Sequence, residues 1–130
     1  MYAVGREHPY KPRSLALLRR VVEGDVEAAL DAEVLQEILH RYRALQRWRE
    51  GGETYDLARK VFLRIFPVTA EVLDRARVLL DEYPELMARD ALHAAVVQWH
   101  GLEGICSFDR DFDRIQGLRR IEPAEEVQVL

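Results

Sequence analysis

An acid in the first turn of a helix and a run of acids at the end of the next strand are the residues of this 130-residue chain best placed to do chemistry. Asp90 opens the stretch Ala88-Arg89-Asp90-Ala91-Leu92-His93-Ala94-Ala95-Val96-Val97, whose apolar positions read as a helix. Asp109, Asp111 and Asp113 follow Gly104-Ile105-Cys106-Ser107-Phe108, which reads as a short buried strand. Carboxylates at a helix start and at the C-terminal end of a strand converge on one crevice of an open α/β sheet. A cluster of that kind suits a hard divalent cation, which prefers oxygen ligands. The two sets meet only if the strand returns beside the helix, as a right-handed crossover requires. Glu37, far upstream, is the third acid that the scaffold would bring to the same place.

Each acid also has an ordinary structural role. Glutamate is seldom buried, so Glu37 in mid-helix fits a solvated face. Asp90 in a first turn favours the helix dipole by about 0.3–1 kcal/mol. Asp109, Asp111 and Asp113 fit a turn leading into a helical turn, where aspartate bonds locally. The joint arrangement is what favours a site. Glu37-x-x-His40 and Asp90-x-x-His93 each place an acid and an imidazole one helical turn apart. Such pairs also occur in carboxylate-bridged di-iron bundles, which use glutamate in the pair and need two further glutamates. That alternative predicts iron and no strand at residues 105–108; otherwise His93 reads as a hydrogen-bonded packing residue.

The elements that must position these groups alternate between helix and strand. Pro12 suits the first turn of a helix running to about Glu23, with Leu15, Leu18, Val21 and Val22 at helical spacing, and Gly24-Asp25 stops it. Residues 26–30 read as a short strand. Asp31 reads as the N-cap of a helix over 32–49, with Val34, Leu35, Ile38, Leu39, Tyr42 and Leu45 inward and Gly51-Gly52 as its end. Thr54 opens another helix through Phe66, and Pro67-Val68 is a brief extended link. Thr69 caps a helix over 70–82, Tyr83-Pro84 breaks the chain, and the Asp90 helix runs to about His100, closed by Gly101. Strands are expected at 105–108 and 118–121. Trp48 and Trp99 read as core or subunit-contact residues. The pattern predicts one α/β domain over residues 1–130, helices packed around a small, mainly parallel sheet.

Composition narrows the compartment and the partners. The length is one domain's worth and supports a real core. Cys106 is the only cysteine, so an internal disulfide and a four-cysteine zinc site are excluded and a reducing compartment is expected. No apolar run approaches the roughly 20 residues of a membrane span, and the first residues lack the apolar stretch of a signal peptide. A cytoplasmic protein with no membrane partner is the expectation. A net charge of −4 argues against a general coat for nucleic acid, but not against a nuclease whose acids are concentrated at one site. Arg89 and Arg110 are placed either to contact phosphate or to pair with the neighbouring acids.

The run Arg89-Asp90-Ala91-Leu92-His93-Ala94-Ala95, then Ile105-Cys106-Ser107-Phe108-Asp109-Arg110-Asp111-Phe112-Asp113-Arg114-Ile115, closed by Ile121-Glu122-Pro123, resembles the C-terminal half of PIN-domain proteins. These are metal-dependent ribonucleases best known as toxins of VapBC-type toxin–antitoxin modules. Glu33-Val34-Leu35-Gln36-Glu37-Ile38-Leu39 resembles that family's second helix, with Glu37 at the position of its acid. The resemblance implies a three-layer α/β/α sandwich with a small parallel sheet. It implies a Mg²⁺ or Mn²⁺ site of Glu37, Asp90 and Asp109, with Asp111 as a fourth ligand. It further implies an endoribonuclease acting on RNA, restrained by a small antitoxin protein and acting as a homodimer. One departure stands out. The family opens with a strand ending in an aspartate, in a pattern like Asp-Thr-Asn, followed by an apolar run into Tyr-Ala, and Met1-Tyr2-Ala3 resembles only the end of that run. We expect the strand and its aspartate to lie upstream of Met1; the competing class is a catalytically impaired PIN-like module that binds RNA or protein.

Overall fold

The computed structural model describes residues 11–123. They fall into two compact units that divide between Phe66 and Pro67. The element order is α1 (Lys11–Val22), β1 (Leu30–Asp31), α2 (Ala32–Ala44), α3 (Trp48–Val61) and β2 (Ile65–Phe66) in the first unit. In the second it is α4 (Ala70–Glu82), α5 (Ala88–Trp99), β3 (Ile105–Cys106), a 3₁₀ turn (Arg110–Arg114) and β4 (Arg120–Ile121). Met1-Tyr2-Ala3, the residues that bear on the family's opening strand, lie outside the described residues.

In the first unit β1 and β2 run parallel, with Leu30 opposite Ile65 and Asp31 opposite Phe66. Parallel neighbours need a crossover, and α2 and α3 provide it. The expected strand over 26–30 is shorter and later than its apolar run suggests, because Asp31 serves both elements. It ends β1, and its carboxylate accepts the Val34 N–H at 3.1 Å as the N-cap of α2. Leu35, Ile38 and Tyr42 form the buried stripe of α2, each worth about 1.5–3 kcal/mol of apolar burial.

The helix expected over 32–49 is two helices, and Gly51-Gly52 does not end either. The chain breaks at Leu45–Arg47, where Gln46 adopts a left-handed φ of 57°. The Arg47 guanidinium then bonds Glu50 at 2.9 and 3.1 Å as α3 begins, and Arg43 stacks on Trp48 at 4.2 Å. Both glycines lie inside α3. A Cβ on Gly51 would fall 2.5 Å from Tyr42 Cβ, so Gly51 lets α2 and α3 approach closely; a Cβ on Gly52 would meet nothing within 4 Å. Thr54 does not start a helix either: its hydroxyl donates to the Glu50 carbonyl at 2.8 Å from within α3. The helix ends at Val61, leaving Ile65–Phe66 rather than Pro67-Val68 as the strand.

In the second unit α4 begins where expected, with Thr69 Oγ1 accepting the Val72 N–H at 3.2 Å. It packs on α5 through Val72, Ala76 and Leu79, while α5 buries Ala91, Leu92, Ala94, Ala95, Val96 and Val97. Three alanines at 0% exposure let the two backbones come close, and Arg75 crosses to Gln98 at 2.7 Å. The strand expected over 105–108 is confined to Ile105–Cys106 and is not buried: Ile105 is half-buried and Cys106 exposed. Among the described residues β4 is its one ladder partner, parallel, with Ile105 opposite Arg120. Trp48 and Trp99, expected in the core or a subunit contact, are 44% and 56% exposed in this chain.

The glycine pair separates close packing from helix propensity. Gly51→Ala is expected to lower stability by about 1–3 kcal/mol, since overpacking forces Tyr42 or the backbone to move. Gly52→Ala is expected to raise it by about 0.5–1 kcal/mol through propensity alone. Urea denaturation of the two variants reads the opposite signs; shifts of the same sign would contradict the packing described.

Candidate metal centre

Asp90 is the third residue of α5, after the N-cap Met87, which makes no side-chain cap. Its carboxylate therefore stands at the positive dipole end of the helix. The buried residues Ala91, Leu92, Ala94 and Ala95 fix the helix directly behind it. Asp109 and Asp111 come from the turn after β3. There the Asp109 N–H donates to Ser107 Oγ at 3.0 Å, and Asp109 Oδ1 accepts the Asp111 N–H at 2.9 Å. Two apolar anchors hold this turn from below: Phe112 is 4% and Ile115 2% exposed. Two polar contacts tie its far end to the α4–α5 connection. Gln116 N–H donates to the Tyr83 hydroxyl at 3.0 Å, and Arg114 pairs with Glu85 at 2.9 Å.

These elements bring Asp90, Asp109 and Asp111 together: each offers a carboxylate oxygen, and the three oxygens lie within 4.8 Å of one another. Asp113, the remaining acid of the run, is turned to Arg120, whose Nε donates to Asp113 Oδ1 at 2.9 Å. Glu37 sits half-buried on α2, in the first unit. His93 is half-buried one turn along α5 from Asp90, and Arg89 and Arg110 are exposed beside the acids. The strand at Ile105–Cys106 is a feature for which the di-iron bundle has no place.

The electrostatics are those of a site short of positive charge. Burial pushes the Asp90 carboxyl up from its ordinary value, and the neighbouring Asp109 and Asp111 carboxylates push it further; His93 and Arg89 oppose them. Like charges at this separation repel by about 1 kcal/mol per pair in water and by several-fold more where solvent is excluded. A divalent cation removes that repulsion. Ligand distances of about 2.0–2.6 Å to Mg²⁺ or Ca²⁺-sized ions put neighbouring oxygens roughly 3–5 Å apart, so the three donors fit a hard cation in number, chemistry and spacing.

Comparison with known proteins points the same way. The profile of the PIN domain family matches residues 1–118. The chain is similar to a VapC ribonuclease of Mycobacterium bovis and to ribonuclease VapC13 of Mycobacterium tuberculosis. It is 40% identical to each over 121 residues, covering 93% of this chain and 92% of the relative. Ribonuclease VapC23 of Mycobacterium tuberculosis is 36% identical over 109 residues, covering 84% of this chain and 86% of the relative. No solved structure matches the chain significantly.

The raised Asp90 pKa makes a prediction for the metal-free protein. Protonated Asp90 favours folding, so its contribution is fully present below the ordinary value of 3.8 and is lost as pH rises through the raised one. With chelator present, the melting temperature of Asp90→Asn relative to wild type should therefore climb as pH rises above 3.8 and through the raised value. Solvent around the half-exposed group keeps the change small. Thermal unfolding followed by circular dichroism checks this, and parallel pH curves for the two proteins would count against it.

Proposed function

This chain belongs to the PIN domain family, and from that premise we propose that it is a metal-dependent endoribonuclease, the toxin of a type II toxin–antitoxin module. The observation that carries the reading is the convergence of Asp90 from a helix start with Asp109 and Asp111 from the turn after a strand. Near-full-length similarity to proteins named as VapC ribonucleases supports it. On this reading Asp90, Asp109 and Asp111 hold Mg²⁺ or Mn²⁺, with Glu37 as a further acid of the site. The partners are RNA as substrate, a small antitoxin protein and a second copy of the chain. The cytoplasm is the proposed place of action; among the described residues no helix is long and apolar enough to cross a membrane.

The chain's own residues have distinct parts in such a reaction. Asp90, Asp109 and Asp111 would hold the divalent cation, which would supply charge neutralisation at the scissile phosphate and a more acidic water. The backbone that carries Asp90 is held in place because α5 is anchored by buried alanines and valines, and its carboxylate contributes negative charge to the site. Asp109 is restrained by the Asp111 N–H, which limits its rotamers before anything binds. Arg89 and Arg110 are exposed beside these acids, and on this reading they donate paired hydrogen bonds to phosphate oxygens.

RNA incubated with the protein and Mn²⁺ should be cleaved internally, and chelator should stop the cleavage. Asp90→Asn should lower the rate at least about a hundredfold, since losing a metal ligand forfeits several kcal/mol of transition-state stabilisation. Cleavage that survives the substitution would remove Asp90 from the centre. Metal binding with no cleavage of any RNA would favour a binding module instead.

A further inference from the structure

Arg120 lies outside the carboxylate cluster, yet its bonds bracket it. It stands on β4 opposite Ile105, and its side chain is 11% exposed, far less than a typical surface arginine. Nη1 donates to the Ser107 carbonyl at 3.0 Å, just before Asp109. Nε donates to Asp113 Oδ1 at 2.9 Å, just after Asp111. The Ser107 N–H meanwhile donates to the Ile121 carbonyl at 3.0 Å, and Glu122 lies 3.9 Å from Arg120 Nη1. One guanidinium thus joins both ends of the segment that carries Asp109 and Asp111 to the neighbouring strand. Phe112 and Ile115 secure the apolar underside of that segment; on its polar side, Arg120 links the two ends to one planar group.

We propose that Arg120 is a positioning residue for the metal centre, holding the 107–113 segment so that Asp109 and Asp111 present their carboxylates together toward Asp90. The inference rests on the reading of these acids as metal ligands. It is separable from that reading because positioning and charge predict opposite signs. Arg120 is a cation close to acids that would hold a cation. By Coulomb's law alone, removing it should tighten metal binding. If it acts by holding the segment, removing it should weaken binding, because ordering the ligands then has to be done by the metal itself. Lysine keeps the charge but lacks the planar fork that can meet a carbonyl and a carboxylate at once.

The test is Mn²⁺ affinity of chelator-treated protein by isothermal titration calorimetry, with thermal unfolding and amide exchange of the metal-free state as companions. Wild type should bind and Asp109→Asn should not. Arg120→Ala should bind about tenfold more weakly, the usual range for outer contacts that orient ligands. Arg120→Lys should also be weakened despite its retained charge. In metal-free Arg120→Lys the Asp109 and Asp111 amides should exchange faster at an unchanged melting temperature. Arg120→Ala and Arg120→Lys that bind Mn²⁺ as tightly as wild type, or more tightly, overturn the positioning role while leaving the metal centre standing. Wild type that binds no Mn²⁺ overturns both.

Discussion

Mutual repulsion among Asp90, Asp109 and Asp111 is the constraint on which the second unit depends. Three carboxylate oxygens within 4.8 Å of one another form an arrangement that no isolated peptide would keep, since each acid would turn toward water. Here it persists because the groups are carried by elements whose positions are set elsewhere. The α4–α5 pair buries Val72, Ala76 and Leu79 against the small residues of α5. The aspartate turn is pinned by Phe112 and Ile115 beneath it. Apolar burial worth about 1.5–3 kcal/mol per large side chain outweighs surface-scale repulsion of about 1 kcal/mol per pair. The raised pKa of Asp90 records the strain that remains.

That balance gives physical content to preorganisation at this site. A cation binding here meets donors that are already close, one on a helix start and two on a turn whose backbone N–H groups are bonded within the turn. Little ordering entropy is left to be lost on binding. The same design sacrifices stability in the metal-free state, which is the common relation between functional sites and folds. Arginine has a part on each side of the balance: Arg89 moderates the charge beside Asp90, while Arg120 and Arg114 tie the segment and its far end to neighbouring elements.

The first unit shows a different economy. Its α2–α3 connection turns on a left-handed Gln46 and on the close approach of Tyr42 to Gly51, without a glycine at the break itself. Asp31 ends one strand and caps the next helix. The buried Asp31 carboxylate thus satisfies the Val34 N–H, a first-turn donor of α2. Short strands and shared caps make the crossover between β1 and β2 compact.

Local rules made much of this chain legible in its amino-acid order. Caps such as Asp31 and Thr69, the Gly101 stop and the Asp109 turn depend on groups two to four residues apart, so their signals sit within a single window of sequence. Asp90, Asp109 and Asp111 were recognisable as chemistry-bearing residues by type and motif, and the PIN resemblance followed from them. Tertiary structure alone decided the rest. A left-handed Gln46 and a glycine packed on Tyr42 mimic, to a reader of sequence, a continuous helix with a glycine stop, because the deciding contact is between two helices. The two tryptophans lie outside the core of this chain for the same reason: hydrophobicity states a preference for burial, and only the packed neighbours determine whether the chain itself meets it. Arg120 carried no local signal at all, since its bonds to Ser107 and Asp113 exist only through the register of β4 beside β3.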